Sequence, residues 1–582
     1  MPFETISELI NHQLLETAST LWDIGTLGTP QTVSRTKERS FGDYQSNIAF
    51  RLSRQAKQAP IDVANTLKKA LEQSEVVRQV DVAGKGFLNF WLDNSWLSNR
   101  LKEQVSDPHH GIPQRGKGQT VVIDYSSPNV AKRMHIGHMR STIIGHTLDQ
   151  LHRAAGWHVI ADNHIGDWGK QFGMLIVMWN QSHDANNFEK DPIGELERLY
   201  VGFSEVSSPE LETQARQEVA KLQAGDPENR ALWQRFIAES MREFNGVYER
   251  LGIHFDEVLG ESAYNDMLPS VVQKLLQYEI AVESDGAVIV SFPKKSKPKM
   301  LSETVLVIQK SDGAFLYGTT DLATLEYRHS RWSPTKIVYV TDLRQQLHFQ
   351  QVFYTWRQWC ELDPTIAGGA ALEHVWFGML KLPEGAMSTR KGNVIRLVDL
   401  LDEATRRARY VVDEKSPELD EPTRASIAEA VGISAVRYFD LSQNPQSDVV
   451  FDWDKILSLE GNTAPFLMYS YARGRGIQRK GNIIAPTVDG LAIHDEVTRQ
   501  LVLLCLETPE IILVSLEQAK PNLLCDHLFG LATLFNRFYY ANPVLSESNA
   551  ELRQSRLAVV EGVLRVLKHG FSIIGIRHLE RM

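Results

Sequence analysis

The residues best placed to do chemistry fall into two clusters. In SSPNVAKRMHIGHMRST, His135 and His138 stand one helical turn apart, so both imidazoles share a face near the start of a helix. Gly137 between them lets a planar base lie close to the backbone, and the positive end of the helix attracts phosphate. A nucleotide can bind there without a glycine-rich loop. The same spacing would also suit half of a metal site or a polar helix face, but no Cys or His pair supplies the other ligands, and His146 does not complete a set. In GAFLYGTTDLATLEYR, Tyr317 and Asp321 are spaced to share one face of a turn or helix start. A phenol beside a carboxylate is a receptor for a guanidinium group, since the carboxylate pairs with the charge and the ring offers a stacking face.

Those side chains need a frame. From Thr120, TVVIDYSS has the pattern of a buried strand; a Pro-containing loop follows, then a helical run through Met139, Ile143 and Leu148, then a second strand candidate in WHVIADNHIG. Strand, helix, strand implies a right-handed parallel crossover, the opening unit of a doubly wound, Rossmann-like α/β sheet. Strand-like segments recur in VIVSF, TVLVI, KIVYVTD and HVWFGML. The stretch from about 180 to 285 is mainly helical and charged and reads as an insertion, and beyond about Leu400 strand signals nearly vanish, leaving a helical bundle. Before the sheet, residues 1–115 read as helices followed by the alternating stretch VRQVDVAGKGFLNFWL, with GIPQRGKG as a linker. The expectation is an α+β domain over 1–115, an α/β catalytic domain over 116–400 and an all-α domain over 401–582.

Size and composition agree with several domains. A chain of 582 residues exceeds the roughly 250 to 300 at which one core stops growing. Hydrophobic residues at 43% and charged residues at 23% exclude disordered and membrane classes, and LVLLCLETPEIILV is interrupted by Glu507 and Glu510. The opening residues lack a basic leader with an apolar core, and three scattered cysteines make neither a disulfide framework nor a zinc motif, so a reducing cytoplasm is expected. A formal charge of -10 means that RNA contact must rely on local patches. One exists: EGNTAPFLMYSYARGRGIQRK carries Arg473, Arg475, Arg479 and Lys480 with no acid after Gly461, interleaved with Phe466, Tyr469 and Tyr471. Cations seat phosphates and aromatic faces stack unpaired bases.

The blocks DYSSPNVAKRMHIGHMRSTIIG and NHIGDWGKQFGML resemble the adenylate-forming signature of class I aminoacyl-tRNA synthetases, and more closely the arginyl-tRNA synthetase family. The likeness runs from about Thr120 to Met582 and extends more loosely into the first domain through FGDYQSNIAF and GFLNFWL. It implies that His135, Gly137, His138, His348 and Ser388 bind ATP, that Asp124 and Asn129 hold the ammonium and carboxylate region of the amino acid, and that Tyr317, Asp321, Gln345 and Glu261 surround arginine. It further implies that Lys132 approaches phosphate, that Tyr469, Tyr471, Arg473, Arg475 and Arg479 lie on an anticodon-binding helix, and that the first domain touches the tRNA elbow. The segment GMLKLPEGAMSTRKGNVIRL resembles the family's phosphate-gripping loop, but Ala386 and Thr389 stand where two lysines are usual. Arg390 and Lys391, with Lys132 ahead of the first signature, would redistribute that charge.

The implied reaction is attack of the arginine carboxylate on the α-phosphate of ATP, then transfer of arginine to the 3′ end of tRNA(Arg). ATP would come with Mg2+ held largely by phosphates and water, with no structural metal, and a monomer away from membranes is the family expectation. Two other readings stand beside it. A class I synthetase for another amino acid such as cysteine is opposed by GDWGKQFG and by the absence of zinc-ligand cysteines. A synthetase-like RNA-binding or regulatory protein with impaired activation is favoured by Ala386 and opposed by the intact histidine signature.

Overall fold

Val121, Val122 and Ile123 are fully buried in succession, the pattern of a strand covered on both faces. In the computed structural model, which describes residues 3–23, 31–71, 74–293, 299–366, 368–381 and 395–582, they form the central strand of a five-stranded parallel sheet. Its strands are β1 (Thr120–Asp124), β2 (His158–Asn163), β3 (Glu257–Val258), β4 (Lys336–Asp342) and β5 (Ala371–Phe377), in the order β5-β4-β1-β2-β3. Asp124 pairs with Asp162 on one side and with Tyr339 on the other. The order reverses between β1 and β4, so a crevice opens beyond their carboxyl ends, where ligands of doubly wound sheets bind. The expected α/β class holds.

The crossover helices follow from local sequence. Helix α1 (Ile136–Ala154) returns from β1 to β2 with Met139, Ile143, Leu148 and Leu151 buried. The insertion is helical and ends in α2 (Pro227–Leu251), which starts at an Asp226 cap with Pro227 in its first turn and stops at Gly252, whose φ of 66° closes the helix. A separate core of Phe172, Leu175, Trp179, Leu196 and Phe236 holds the insertion together. Helices α3 (Tyr317–Trp332) and α4 (Gln346–Leu362) flank β4. The strand-like segments VIVSF and TVLVI do not enter the parallel sheet. They form a three-stranded antiparallel sheet, Val282–Ser284, Ala287–Ser291 and Val305–Gln309, because a two-residue turn at Asp285–Gly286 closes the first pair as a hairpin.

The chain divides into two compact units. One comprises Gly116–Arg153 and Trp157–Leu457, and so includes α5 (Leu397–Lys415) and α6 (Glu421–Leu441) along with the sheet. The other comprises Met1–Arg115, Ala154–Gly156 and Ser458–Met582. Within that second unit a four-stranded antiparallel sheet contains the hairpin Val77–Ala83 with Phe87–Leu92, and a bundle of α7 (Ala464–Lys480), α8 (Glu496–Glu517), α9 (Pro521–Ala541) and α10 (Ala550–Ile574) completes it. Arg499 of the bundle makes paired hydrogen bonds of 2.8 and 2.6 Å to Asp43 of the sheet region. No helix among the described residues is long and apolar enough to cross a membrane.

Candidate active site

The signature histidines lie where β1 hands over to α1, with ring centroids 4.0 Å apart. The backbone N–H of Gly137 donates to His135 Nδ1 at 3.0 Å, and that of His135 donates to His138 Nδ1 at 3.1 Å. Each Nδ1 is therefore an acceptor, which leaves the ring proton on Nε2. Burial lowers both pKa values, helped by Lys132 for His135 and by His135 for His138, which falls to about 3. Two neutral N–H donors result. A Cβ at 137 would lie 2.7 Å from the His135 ring, so any larger residue would push that imidazole off the Gly137 N–H.

The loop before α1 is strained. Ser126, Ser127 and Ala131 have φ of 74°, 47° and 63°, the left-handed region that costs of order 1 kcal/mol or more for a residue with a Cβ. Neighbours hold it there: Ser126 N–H donates to Ser141 Oγ at 3.0 Å, Ser127 N–H to Asn163 Oδ1 at 3.1 Å, and Ser127 Oγ to Asp124 at 3.0 Å. Asn129 bridges to Gly166, and its Oδ1 lies so close that any Cβ at 166 would clash. Lys132 places Nζ 4.3 Å from the centre of the Tyr200 ring.

Three carboxylates, Glu261, Asp321 and Asp167, lie close enough to raise one another's electrostatic cost. His348 Nε2 lies 2.5 Å from Asp321 Oδ2. Burial works against the charged imidazole, but its hydrogen bond to Asp321 and the carboxylate charge outweigh it, so the pKa of His348 rises. Glu261 follows the loop that binds back to Ile165, and burial, then Asp321, then Asp167 push its carboxyl up to about 8. Tyr317 is exposed at the start of α3, its phenol pKa raised by partial desolvation and by Glu261. Gln345 is exposed on the turn Leu343–Gln345 beyond β4. Asp124 occupies a different kind of place: Arg328, wholly buried on α3, donates to it at 2.6 Å and to Asp162 at 2.8 and 3.0 Å.

Sequence reasoning missed Arg328 and Asp167. Arg328 lies seven residues after Asp321, two turns along the same face, a spacing that would have found it. Asp167 accepts from both the N–H and Oγ of Ser262, and it packs so tightly on Gly260 that a Cβ there would meet its carboxylate at 2.1 Å. Ser388, Arg390 and Lys391, with Ala386 and Thr389, lie outside the described residues. On the near side of that stretch Leu380–Lys381 pairs with Val449–Val450. On the far side Ile136 N–H donates to Ile395 O at 3.1 Å, Leu397 N–H donates to Met134 O at 2.9 Å, and Arg396 bridges His135.

In the other unit, the basic helix α7 sorts its residues by face. Tyr469 is partly exposed, and Arg473 sits 4.9, 5.0 and 5.2 Å from the ring centres of Tyr469, Tyr539 and Tyr540, with Tyr540 72% exposed. Tyr539 and Tyr540 were not anticipated, since they come from α9. Tyr471 instead is buried against Phe571 and His578. Arg475 pairs with Glu580 at 2.7 Å, and Arg479 donates to the Glu580 carbonyl.

Three family models match the chain: the catalytic domain of class I tRNA synthetases (R) over 101–453, the DALR anticodon-binding domain over 467–582 and the arginyl tRNA synthetase N-terminal domain over 4–92. The arginine-tRNA ligase of Fusobacterium nucleatum is 42% identical over 558 residues, covering 95% of each chain. That of Shewanella sp. strain ANA-3 is 41% identical, covering 94% of this chain and 95% of its own. The crystal structure of arginyl-tRNA synthetase from Plasmodium falciparum superposes with a TM-score of 0.82 at 26% identity over the whole of both chains. The Thermus thermophilus arginyl-tRNA synthetase shares the fold, with a TM-score of 0.81 at 22% identity over 99% of this chain and 100% of its own.

Proposed function

Because the chain belongs to the arginyl-tRNA synthetase family, we propose that it activates L-arginine with ATP and joins it to tRNA(Arg). The observation that supports this reading is the cluster of Glu261, Asp321 and Asp167 carboxylates, with Asp321 bonded to His348 at the start of the helix after β4, alongside the paired His135 and His138 after β1. A planar guanidinium matches carboxylates placed around it, whereas a compact ammonium fits that arrangement less well.

The mechanism needs no protein nucleophile. The arginine carboxylate attacks the α-phosphate, and pyrophosphate leaves. What the protein contributes is alignment of two reactants and donors aimed at charge developing on phosphate oxygens. His135 and His138 contribute neutral Nε2–H donors, Gly137 leaves room for the adenine plane, and Lys132, Arg390, Lys391 and Ser388 supply phosphate contacts. Asn129 orients the amino-acid backbone; Asp124, held by Arg328, supports the loop through Ser127 and so acts on the ammonium end from beneath. Tyr317 and Gln345 close the arginine pocket, and His348 sets the orientation of Asp321. Mg2+ would arrive with ATP and be held by phosphates and water; among the described residues no three His, Cys, Asp or Glu form a metal-holding group.

For tRNA, Tyr469 and Arg473 with Tyr539 and Tyr540 provide the stacking surface, while Arg475 and Arg479 anchor the segment around Glu580. The protein works as a cytoplasmic monomer, in which the region over 1–115 contacts the tRNA elbow, the sheet unit up to Leu457 the reacting ends and the bundle beyond it the anticodon. Pyrophosphate exchange with each amino acid in the presence of tRNA tests the assignment. Arginine alone should support exchange, and Asp321→Ala should abolish it while ATP binding persists. Exchange with a different amino acid, or an unaffected Asp321→Ala variant, would refute it.

A further inference from the structure

Two of the three left-handed positions in the loop leading into the signature, Ser126 and Ala131, are met by one helix of the insertion. Ala131 N–H donates to Ser240 Oγ at 2.9 Å, and Ser240 spends its own proton on the Phe236 carbonyl at 2.7 Å. Two turns further along the same face of α2, beyond the buried Phe244, the Tyr248 hydroxyl lies 2.8 Å from Ser126 Oγ and 3.1 Å from Asn163 Nδ2. Ser240 is wholly buried and Tyr248 nearly so.

The protons in this network can be placed. Asn163 Nδ2 is a donor, so the Tyr248 oxygen accepts from it and its own O–H points to Ser126. Thr142 Oγ1 donates to the His138 carbonyl at 2.8 Å, which leaves it as the acceptor for the Ser126 hydroxyl at 2.8 Å. A single directed chain follows, Asn163 to Tyr248 to Ser126 to Thr142 to the carbonyl of His138. Every hydroxyl uses its one proton, so the chain has one polarity, and each bond strengthens its neighbours. Ser126 sits at its centre with φ of 74°.

We propose that Tyr248 and Ser240 of the insertion are positioning residues for adenylate formation, holding the 126–131 loop and, through Ser126 and Thr142, the backbone of His138 in the geometry that the reaction uses. Neither side chain reaches the substrates. Their effect passes through the loop that carries Asn129 and the signature, so the insertion is a brace for the site as well as a link in the chain. The proposal rests on the ligase reading above.

The test compares Tyr248→Phe, Thr142→Val and the double variant with the parent in tRNA-supplemented pyrophosphate exchange, alongside thermal unfolding of each. A misplacement of the loop by about 1 Å predicts a fall in kcat of around 100-fold, with KM for ATP and arginine nearly unchanged. Because both changes cut the same chain, the double variant should lose no more than either single one. Thr142→Ser restores the hydroxyl and should recover the activity that Thr142→Val loses, and Ser240→Ala should reproduce the kcat defect if Tyr248→Phe does not fold. Multiplying losses in the double variant, a lowered melting temperature with kcat intact, or no recovery by Thr142→Ser would overturn the proposal. Failure of the ligase reading looks different: the parent would exchange with another amino acid, and the same comparison made with that amino acid would still decide the role of Tyr248. A parent inactive with every amino acid overturns both.

Discussion

With Glu261 in the proposed arginine pocket, arginine binding should be a proton-linked event. In the free protein its carboxyl titrates at about 8, pushed up by burial first and then by the charges of Asp321 and Asp167. At pH 7 roughly nine molecules in ten therefore carry the proton. A guanidinium can pair only with the ionised form, so binding must expel that proton, and arginine affinity should rise close to tenfold per pH unit up to about pH 8 and then level off. Isothermal titration calorimetry in two buffers of different ionisation heat reads this directly: close to one proton released per arginine at pH 7, and few at pH 9.

The sign also fixes a stability effect. A folded value of about 8 lies above the ordinary 4.5, so the free fold is most stable below about pH 4.5 and loses roughly 5 kcal/mol progressively as pH climbs from there to about 8, beyond which the loss is complete. Glu261→Gln should remove that loss, raise the alkaline melting temperature, weaken arginine binding and abolish proton release. Release of less than about a fifth of a proton at pH 7, or the same release from Glu261→Gln, would refute the assignment of the pocket.

Two further outcomes follow. Arg328→Met strands Asp124 and Asp162 in the interior without their cation and should cost about 3 to 5 kcal/mol in denaturant unfolding at neutral pH, less at acid pH where Asp162, its pKa raised by burial, takes up a proton. Tyr540→Ala should weaken tRNA binding by about 1 to 3 kcal/mol, the worth of one stacked base, and leave ATP affinity unchanged; equal tRNA affinity in a filter-binding assay would remove α9 from the RNA surface.

The frame of the site was legible because it is local. A buried run at Val121–Ile123, a histidine pair one turn apart and a second strand close behind all lie within one crossover, and periodicity reads such units well. Tyr317 and Asp321 do share a helix start for the same reason. What stayed hidden depends on distant partners. Ser240 and Tyr248 are ordinary residues on an insertion helix until folding brings them onto Ala131 and Ser126. Tyr539 and Tyr540 join Arg473 only when α9 packs beside α7. Tyr471 is the instructive case: Leu467, Met468, Tyr471 and Gly474 follow the three-and-four spacing of a core face, so its burial was written in the sequence, but the neighbouring arginines suggested an outward tyrosine. Arg475 and Arg479 looked free for the same reason, since Glu580 lies a hundred residues on.

Ala131 carries a left-handed backbone that only glycine would adopt at ease. Ala131→Gly would relax that backbone but would also take a buried methyl out of the insertion core and free the unfolded chain, so the gain and the losses are of similar size. The same change would let the loop wander before each encounter with ATP. Alanine at 131 thus ties the loop down twice, by its methyl in the core and by its N–H on Ser240, and keeps the site set before its reactants arrive.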